Sequence, residues 1–295
     1  MATPWTPDVE LNDEIAKRLI ESRFPELKPF NLRPFGAGWD NHAYLVNESL
    51  VFRIPHRKMG GDLMETECGV LSYLGTQSLP LQIPAPTHQA AADEAYPYRI
   101  AGYPLIEGVT ADSVVWTTEE RAANAERLGR FLGALHRVPI GLENPPLDTL
   151  RRAAIPYRLP IVLSRLQSPP DGFRPLLEEL ATTPLNAGPP VWVHGDLYAR
   201  HLIIDSGKRV TGVIDWGDAH VGDPALDLAI AWMFLPPETH NVFKNSYGGV
   251  DQNTWRRARF RAMTAWVMLS DYAELNRDPS LARECRFMLQ NLLRV

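Results

Sequence analysis

Cysteine is scarce here. Cys68 and Cys285 stand alone in 295 residues, far apart and without CxxC spacing, so they are expected to be buried thiols and not a disulfide or a metal site. No apolar run approaches the roughly 18 residues a membrane helix needs, and the opening Met1-Ala2-Thr3-Pro4-Trp5 lacks the basic-then-apolar pattern of a secretory signal. Positive charge is not in excess either. Thirty Lys and Arg against 35 Asp and Glu leave a net −5, which argues against nucleic acid as a partner because phosphate contacts need clustered cations. Internal repeats and low-complexity tracts are absent. What remains is the profile of a cytoplasmic, monomeric globular protein with no membrane partner, long enough for two lobes.

The informative segment runs from Val191-Trp192-Val193 through His194-Gly195-Asp196-Leu197 to Leu202-Ile203-Ile204. A second apolar run from Val210 to Ile214 leads into Asp215-Trp216-Gly217-Asp218, after turn residues Asp205-Ser206-Gly207-Lys208. Short buried strands ending in polar turns are predicted, carrying Asp196, His201 and Asp215 to one end of a small sheet. Phosphoryl transfer needs few protein groups: a carboxylate to orient the attacking hydroxyl and accept its proton, and ligands for the magnesium that neutralises the phosphates. In protein kinases a metal-binding Asn stands five residues after the catalytic Asp, with a second Asp on the next hairpin. Here His201 stands in the place of that Asn.

His194-Gly195-Asp196-Leu197, Ile214-Asp215-Trp216-Gly217 and Gly222-Asp223-Pro224-Ala225-Leu226-Asp227-Leu228 resemble the catalytic, metal and following motifs of the aminoglycoside phosphotransferase family. Within it, His at position 201 resembles macrolide and 2″-type aminoglycoside phosphotransferases. The resemblance implies an α+β, bilobal, protein-kinase-like fold: an antiparallel sheet with helices in a nucleotide-binding lobe, residues 1–103, and a mostly helical catalytic and substrate-binding lobe, residues 104–295, joined by a hinge near 103–106. It also implies that Asp227 ties the catalytic loop to the next helix.

In the first lobe a helix is read over residues 8–22 and strands over 30–35, 42–46 and 50–54. Between the first two strands, Gly36-Ala37-Gly38-Trp39-Asp40-Asn41 occupies the place of a phosphate loop, so Gly36, Gly38 and Asn41 are candidate nucleotide contacts. Arg53 stands on the third strand where a kinase has its phosphate-binding Lys; a guanidinium keeps the charge and can bind phosphate bidentately. Its partner is expected to be Glu67, with Glu65 as the competitor. The backbone of Tyr103, Leu105 and Ile106 is the candidate for the purine edge, Pro104 having no N–H to offer.

The second lobe begins with a helix read over 119–138, N-capped by Thr117 or Thr118. A proline-punctuated insert follows over about 142–190, and helices are read at 225–235, 238–247, 251–277 and 279–294. The insert and last helices are expected to build the acceptor pocket, with Arg200, Asp218 and Trp232 as candidate substrate contacts. Acidic residues would suit an amino sugar, and tryptophans a macrolide.

These readings converge on a nucleotide-dependent O-phosphotransferase moving the γ-phosphoryl group of ATP or GTP to a hydroxyl of an aminoglycoside or macrolide. Asp196 would take the proton; His201 and Asp215 would hold Mg²⁺, with Mn²⁺ as an alternative. A kinase for a sugar, choline-like amine or amino alcohol is the alternative reading, and a weakly active nucleotide-binding module a third. A protein kinase is disfavoured by the missing HRD arginine and APE segment.

Overall fold

In the computed structural model, residues 7–294 are described except Trp39, Gln167, Asn186 and Ala187, so the N-terminal pentapeptide and Trp39 of the glycine loop lie outside the described residues. Contacts divide the chain into two compact units. One holds the chain up to Thr76 with Ile83–Ile106 and Asp215–Asp218; the other holds Gln77–Gln82, Glu107–Ile214 and the chain from Ala219 on.

The first unit opens with α1 (Asp13–Arg23), which starts later than its apolar pattern suggests because the Asn12 side chain accepts the Ile15 N–H and fixes the N-cap there. Strands β1 (Leu32–Ala37), β2 (Asn41–Val46) and β3 (Leu50–Pro55) form a meander. α2 (Lys58–Leu74), β4 (His88–Ala90) and β5 (Ile100–Pro104) follow, giving an antiparallel sheet in the order β1-β2-β3-β5-β4. Ala16, Leu19, Ile20 and Phe24 of α1 and its end pack on Tyr44, Val46, Phe52 and Ile54, so one face of the sheet is the core of this unit.

The second unit is mostly helical. After β6 (Val109–Thr110), the helix expected over 119–138 is two: α3 (Thr118–Ala122), opened by a Thr117–Glu120 capping box, and α4 (Ala125–Leu135). The break falls at buried Asn124, whose side-chain amide donates to the carbonyls of Glu120 and Lys208 and accepts from the Val210 N–H. Such a side chain competes with the helix backbone for its hydrogen bonds.

The insert supplies α5 (Ile155–Arg165) and α6 (Phe173–Ala181). β7 (Val191–Val193), β8 (Leu202–Ile204), β9 (Val210–Val213) and β10 (His220–Gly222) carry the motif turns: β8 lies between β6 and β9, and β7 pairs with β10. The helix expected over 225–235 is likewise two, α7 (Ala225–Leu228) and α8 (Ile230–Phe234). α9 (His240–Tyr247), α10 (Gln252–Leu275) and α11 (Pro279–Leu293) complete the unit. Cys68 and Cys285 are both free and buried. Among the described residues no helix is long and apolar enough to cross a membrane.

Candidate active site

In the first unit, β3 presents Arg53 toward α2. Its guanidinium meets Glu67 at 2.5 Å and Asp215 at 3.0 Å, while the Tyr103 hydroxyl donates to the other Glu67 oxygen at 2.7 Å. Glu67 is 2% exposed, and a lone carboxylate there would be costly, so three groups that satisfy one another are what make its burial tolerable. Burial alone would pull the Arg53 proton affinity down; Asp215 and Glu67 outweigh it, and the guanidinium stays charged. Burial and the Glu67 carboxylate push the Tyr103 hydroxyl well above its usual range, keeping it a donor. Glu65, the competitor, pairs with Arg99 at 2.8 Å instead.

Asp215 adopts a left-handed backbone (φ 67°), which is unfavourable for a residue with a Cβ and is found where surrounding structure holds a side chain in a required place. In the β1–β2 turn, the Gly38 N–H donates to the Asn41 carbonyl at 2.9 Å. A Cβ at Gly36 would meet nothing within 4 Å, and neither Gly36 nor Gly38 has positive φ, so the turn is open above its backbone but does not demand glycine. Gly60, in the first turn of α2, is demanded: its Cβ would lie 2.5 Å from the Asp40 carbonyl.

Three expectations for this unit change. The Leu105 N–H is bonded to the Ser49 carbonyl at 2.8 Å and is therefore occupied, not offered to a purine. Tyr103 contributes its buried hydroxyl to Glu67, a side-chain role not expected beside its backbone, and Ile106 keeps its place as a backbone candidate. Asp218, assigned to the acceptor pocket, belongs to this unit, where it and Asp215 add to burial in raising the Asp40 carboxyl above its usual range, against Arg57.

In the second unit the loop after β7 is fixed by one buried carboxylate. Asp227, fully buried at the start of α7, accepts the backbone N–H groups of His194 at 2.7 Å and Gly195 at 2.9 Å, and the His136 Nε2–H at 3.2 Å. Gly195 has φ 83°, a conformation that glycine alone adopts at little cost. His194 is clamped as well. Its Nε2–H donates to the Ile214 carbonyl at 3.0 Å and its Nδ1 accepts the Asp196 N–H at 3.3 Å, which specifies one neutral tautomer. Burial and neighbouring His201 hold its pKa below the usual histidine value, and its two hydrogen bonds position the loop.

Asp196 emerges from this frame with its side chain 30% exposed, flanked by Arg261 at 3.2 Å and Arg152 at 3.8 Å. Burial pushes its carboxyl up, but Arg152, His201 and Arg261 outweigh that and keep it below the ordinary aspartate value. It is an ionised acceptor at neutral pH. His201, on the turn into β8, donates Nδ1–H to the Asp196 carbonyl at 2.8 Å, which leaves the lone pair on Nε2. An imidazole in this tautomer can ligate a cation through Nε2.

Among the described residues no three His, Cys, Asp or Glu side chains cluster as a self-sufficient metal site.

Arg200 is not available to a substrate as expected: it joins Asp112 at 2.7 Å and Asp278 at 2.6 Å. Trp232 is buried against His240 and Trp255, with Arg259 over its ring. Other carboxylates of the second unit are engaged as well: Asp223 is bound by Arg257, Asp271 by Arg165, and Asp251 caps α10. Arg152 and Arg261 carry no sequence signal, since they reach Asp196 from the insert and from α10.

The model of the phosphotransferase enzyme family matches residues 31–261. Viomycin phosphotransferase of Streptomyces vinaceus is 29% identical over 207 residues, 64% of this chain and 68% of that protein. Aminoglycoside 3′-phosphotransferase of Streptomyces fradiae is 34% identical over 135 residues, covering 43% and 49%. A 38-residue stretch is 50% identical to the uncharacterized protein YcbJ of Bacillus subtilis, so the chain matches only 12% of that relative's length. Among solved structures, the GDP complex of aminoglycoside 2′-phosphotransferase-IIIa superposes with TM-score 0.70 at 20% identity, over 96% of this chain and 99% of that one. Macrolide 2′-phosphotransferase MphH from Brachybacterium faecium gives 0.65 at 22%, over 92% and 98%. These likenesses establish a shared fold, and with the family match spanning most of the sequence the chain belongs to the phosphotransferase enzyme family.

Proposed function

We propose that the protein is a nucleotide-dependent O-phosphotransferase that moves the γ-phosphoryl group of ATP or GTP to a hydroxyl of an antibiotic, acting as a cytoplasmic monomer without nucleic-acid or membrane partners. The observation that carries this reading is the Asp196 loop: Asp227 and His194 immobilise its backbone, and the Asp196 carboxylate is left ionised and partly exposed. A positioned carboxylate that orients a hydroxyl and accepts its proton is the main protein group the chemistry needs. Arg53, held by Glu67, would bind the donor's phosphates, with Gly36, Gly38 and Asn41 beside them. His201 and Asp215 would hold Mg²⁺, or Mn²⁺, which offsets phosphate charge as the γ-phosphoryl group leaves. In this reading residues 1–103 serve the nucleotide and 104–295 the acceptor.

Relatives named for viomycin and aminoglycosides and a structural neighbour named for macrolides support an antibiotic acceptor. The guanidiniums of Arg152 and Arg261 beside Asp196 disfavour a polycation, and Leu147, Leu150 and Tyr157 of the insert are exposed apolar side chains. Both features favour a macrolide over an aminoglycoside. The same guanidiniums would equally suit a small hydroxy metabolite bearing a carboxylate or phosphate, which is the second reading.

Acceptor-dependent nucleotide consumption, with ATP and GTP against macrolides, aminoglycosides and hydroxy acids, decides among them. Macrolide-dependent turnover is expected. Turnover with hydroxy acids alone selects the second reading, and consumption unaffected by every acceptor contradicts both.

A further inference from the structure

Arg261 of α10 and Arg152 of the insert both approach the same oxygen of Asp196, Oδ1, at 3.2 and 3.8 Å. None of the hydrogen bonds among the described residues reaches Oδ2, which is the oxygen open to an acceptor hydroxyl. Both guanidiniums keep contact with solvent, their side chains being 14% and 16% exposed. Arg152 also donates to the Gly195 carbonyl at 3.2 Å, which anchors it beside the loop.

The loop does not need either side chain for its shape, because Asp227 and His194 already hold its backbone. Proton acceptance does not need them either. Cations beside a carboxylate favour its ionised form and so weaken it as a base. Two guanidiniums on one oxygen of a proton acceptor therefore call for another role.

Phosphoryl transfer supplies that role, since it moves charge through this spot. The acceptor oxygen forms its bond to the γ-phosphorus, the bond from that phosphorus to the bridging oxygen of the nucleotide breaks, and the hydroxyl proton passes to Oδ2. The nucleoside diphosphate leaves with the electron pair of the broken bond. Asp196 thus loses its negative charge in the step that brings negative phosphoryl oxygens onto the acceptor oxygen beside it. A guanidinium has five N–H donors and matches phosphate oxygens two at a time, so it can exchange a carboxylate oxygen for phosphoryl oxygens over a short distance. Arginines placed on a transferring phosphoryl group raise kcat by about 10³–10⁵-fold in nucleotide hydrolases.

We infer that Arg152 and Arg261 are further catalytic residues, which pass from Asp196 Oδ1 to the oxygens of the phosphoryl group as it bonds to the acceptor. The inference rests on the phosphotransfer reading.

Titration with inorganic phosphate, without nucleotide or metal, tests it in a protein from which the Asp196 charge has been removed. Asp196→Asn is expected to bind phosphate at least about tenfold more tightly than wild type, the scale of one charged hydrogen bond. Adding Arg261→Met or Arg152→Met returns the affinity to the wild-type level. Adding Arg256→Met, which removes the same charge from elsewhere on α10, leaves it as in Asp196→Asn. Phosphate bound at other sites is common to all these proteins and drops out of the comparison. In turnover, Arg261→Met lowers kcat at least about tenfold with both KM values within about twofold of wild type, and Arg261→Lys recovers part of the loss. Equal phosphate affinity in wild type and Asp196→Asn, undiminished affinity after adding Arg261→Met and after adding Arg152→Met, or a raised acceptor KM at unchanged kcat overturns the inference. The phosphate titration needs no acceptor, so absence of turnover with every acceptor is a failure of the phosphotransfer reading alone.

Discussion

Asp227 and Asp196 belong to the same unit and meet at the same loop, yet their surroundings are opposite. Asp227 has no exposed surface and receives three N–H donors at 2.7–3.2 Å; the Asp196 side chain is 30% exposed and is met by the Arg261 and Arg152 side chains at 3.2 and 3.8 Å. A carboxylate whose acceptor sites are filled by backbone and histidine is part of the frame, and one met only by movable side chains can still take a proton from a ligand. In the proposed mechanism, what separates the framing aspartate from the reactive one is the identity of the donors.

The sharpest way to break this comparison is to convert each to asparagine. Asp196→Asn is expected to lower phosphoryl transfer about 10²-fold or more, as loss of a positioned general base does, while nucleotide affinity and unfolding free energy stay near wild type. Asp227→Asn is expected to destabilise by about 3 kcal/mol, because an amide N–H₂ replaces an oxygen facing buried donors. Denaturant unfolding of both variants beside steady-state kinetics reads both effects. A stable, inactive Asp227→Asn and an unfolded Asp196→Asn would reverse the assignment.

Arg53 extends the contrast, since it is a movable cation pinned by Glu67 and Asp215. Arg53→Ala is expected to raise the nucleotide KM or lower kcat by about tenfold, the scale of one charged hydrogen bond, and Arg53→Lys to recover part of the loss. Equal kinetics in all three proteins would leave Arg53 a purely structural residue. At His201 the effect depends on the cation. His201→Asn should keep Mg²⁺-supported turnover but reduce the relative benefit of Mn²⁺, because nitrogen ligands suit the softer ion, whereas His201→Ala should lose most metal activation. Metal titrations of turnover with each ion separate the two variants, and full activation of His201→Ala removes His201 from the metal.

The smallest effect is on acid stability. The His136 and backbone donors hold Asp227 below the ordinary aspartate value against the pull of burial. A depressed folded-state pKa contributes stability above the unfolded value of about 3.9, and this is lost as pH falls through the lower folded value. Wild type should therefore lose stability steeply below about pH 4, and Asp227→Asn less steeply. Parallel acid-unfolding curves would show that Asp227 titrates alike in both states.

The loop was readable because His194, Gly195 and Asp196 are contiguous, whereas the tie to Asp227, which stands two motifs on, came from the family resemblance and not from spacing. β1, β2, β3, β7, β8 and β9 were readable as apolar runs bounded by turn residues, whereas the short β4, β6 and β10 carry too few apolar residues to show that pattern. Tertiary ties were not. Asn124 splits an apparently continuous helical stripe by bonding Lys208 and Val210 from far along the chain. Leu105 could not be known to bond Ser49, nor Arg200 to bridge Asp112 and Asp278, because those pairings are set by packing and leave no periodic trace. The two arginines at Asp196 are of this kind, and they carry most of the information about the acceptor.

The most direct test of the central claim is transfer of a labelled γ-phosphoryl group from ATP or GTP to an acceptor hydroxyl by wild type and Asp196→Asn, at saturating Mg²⁺ and nucleotide. The account predicts a phosphorylated acceptor with wild type and at least about 10²-fold slower formation with the variant, with nucleotide binding preserved in both. Product formed at equal rates by the two proteins would contradict it.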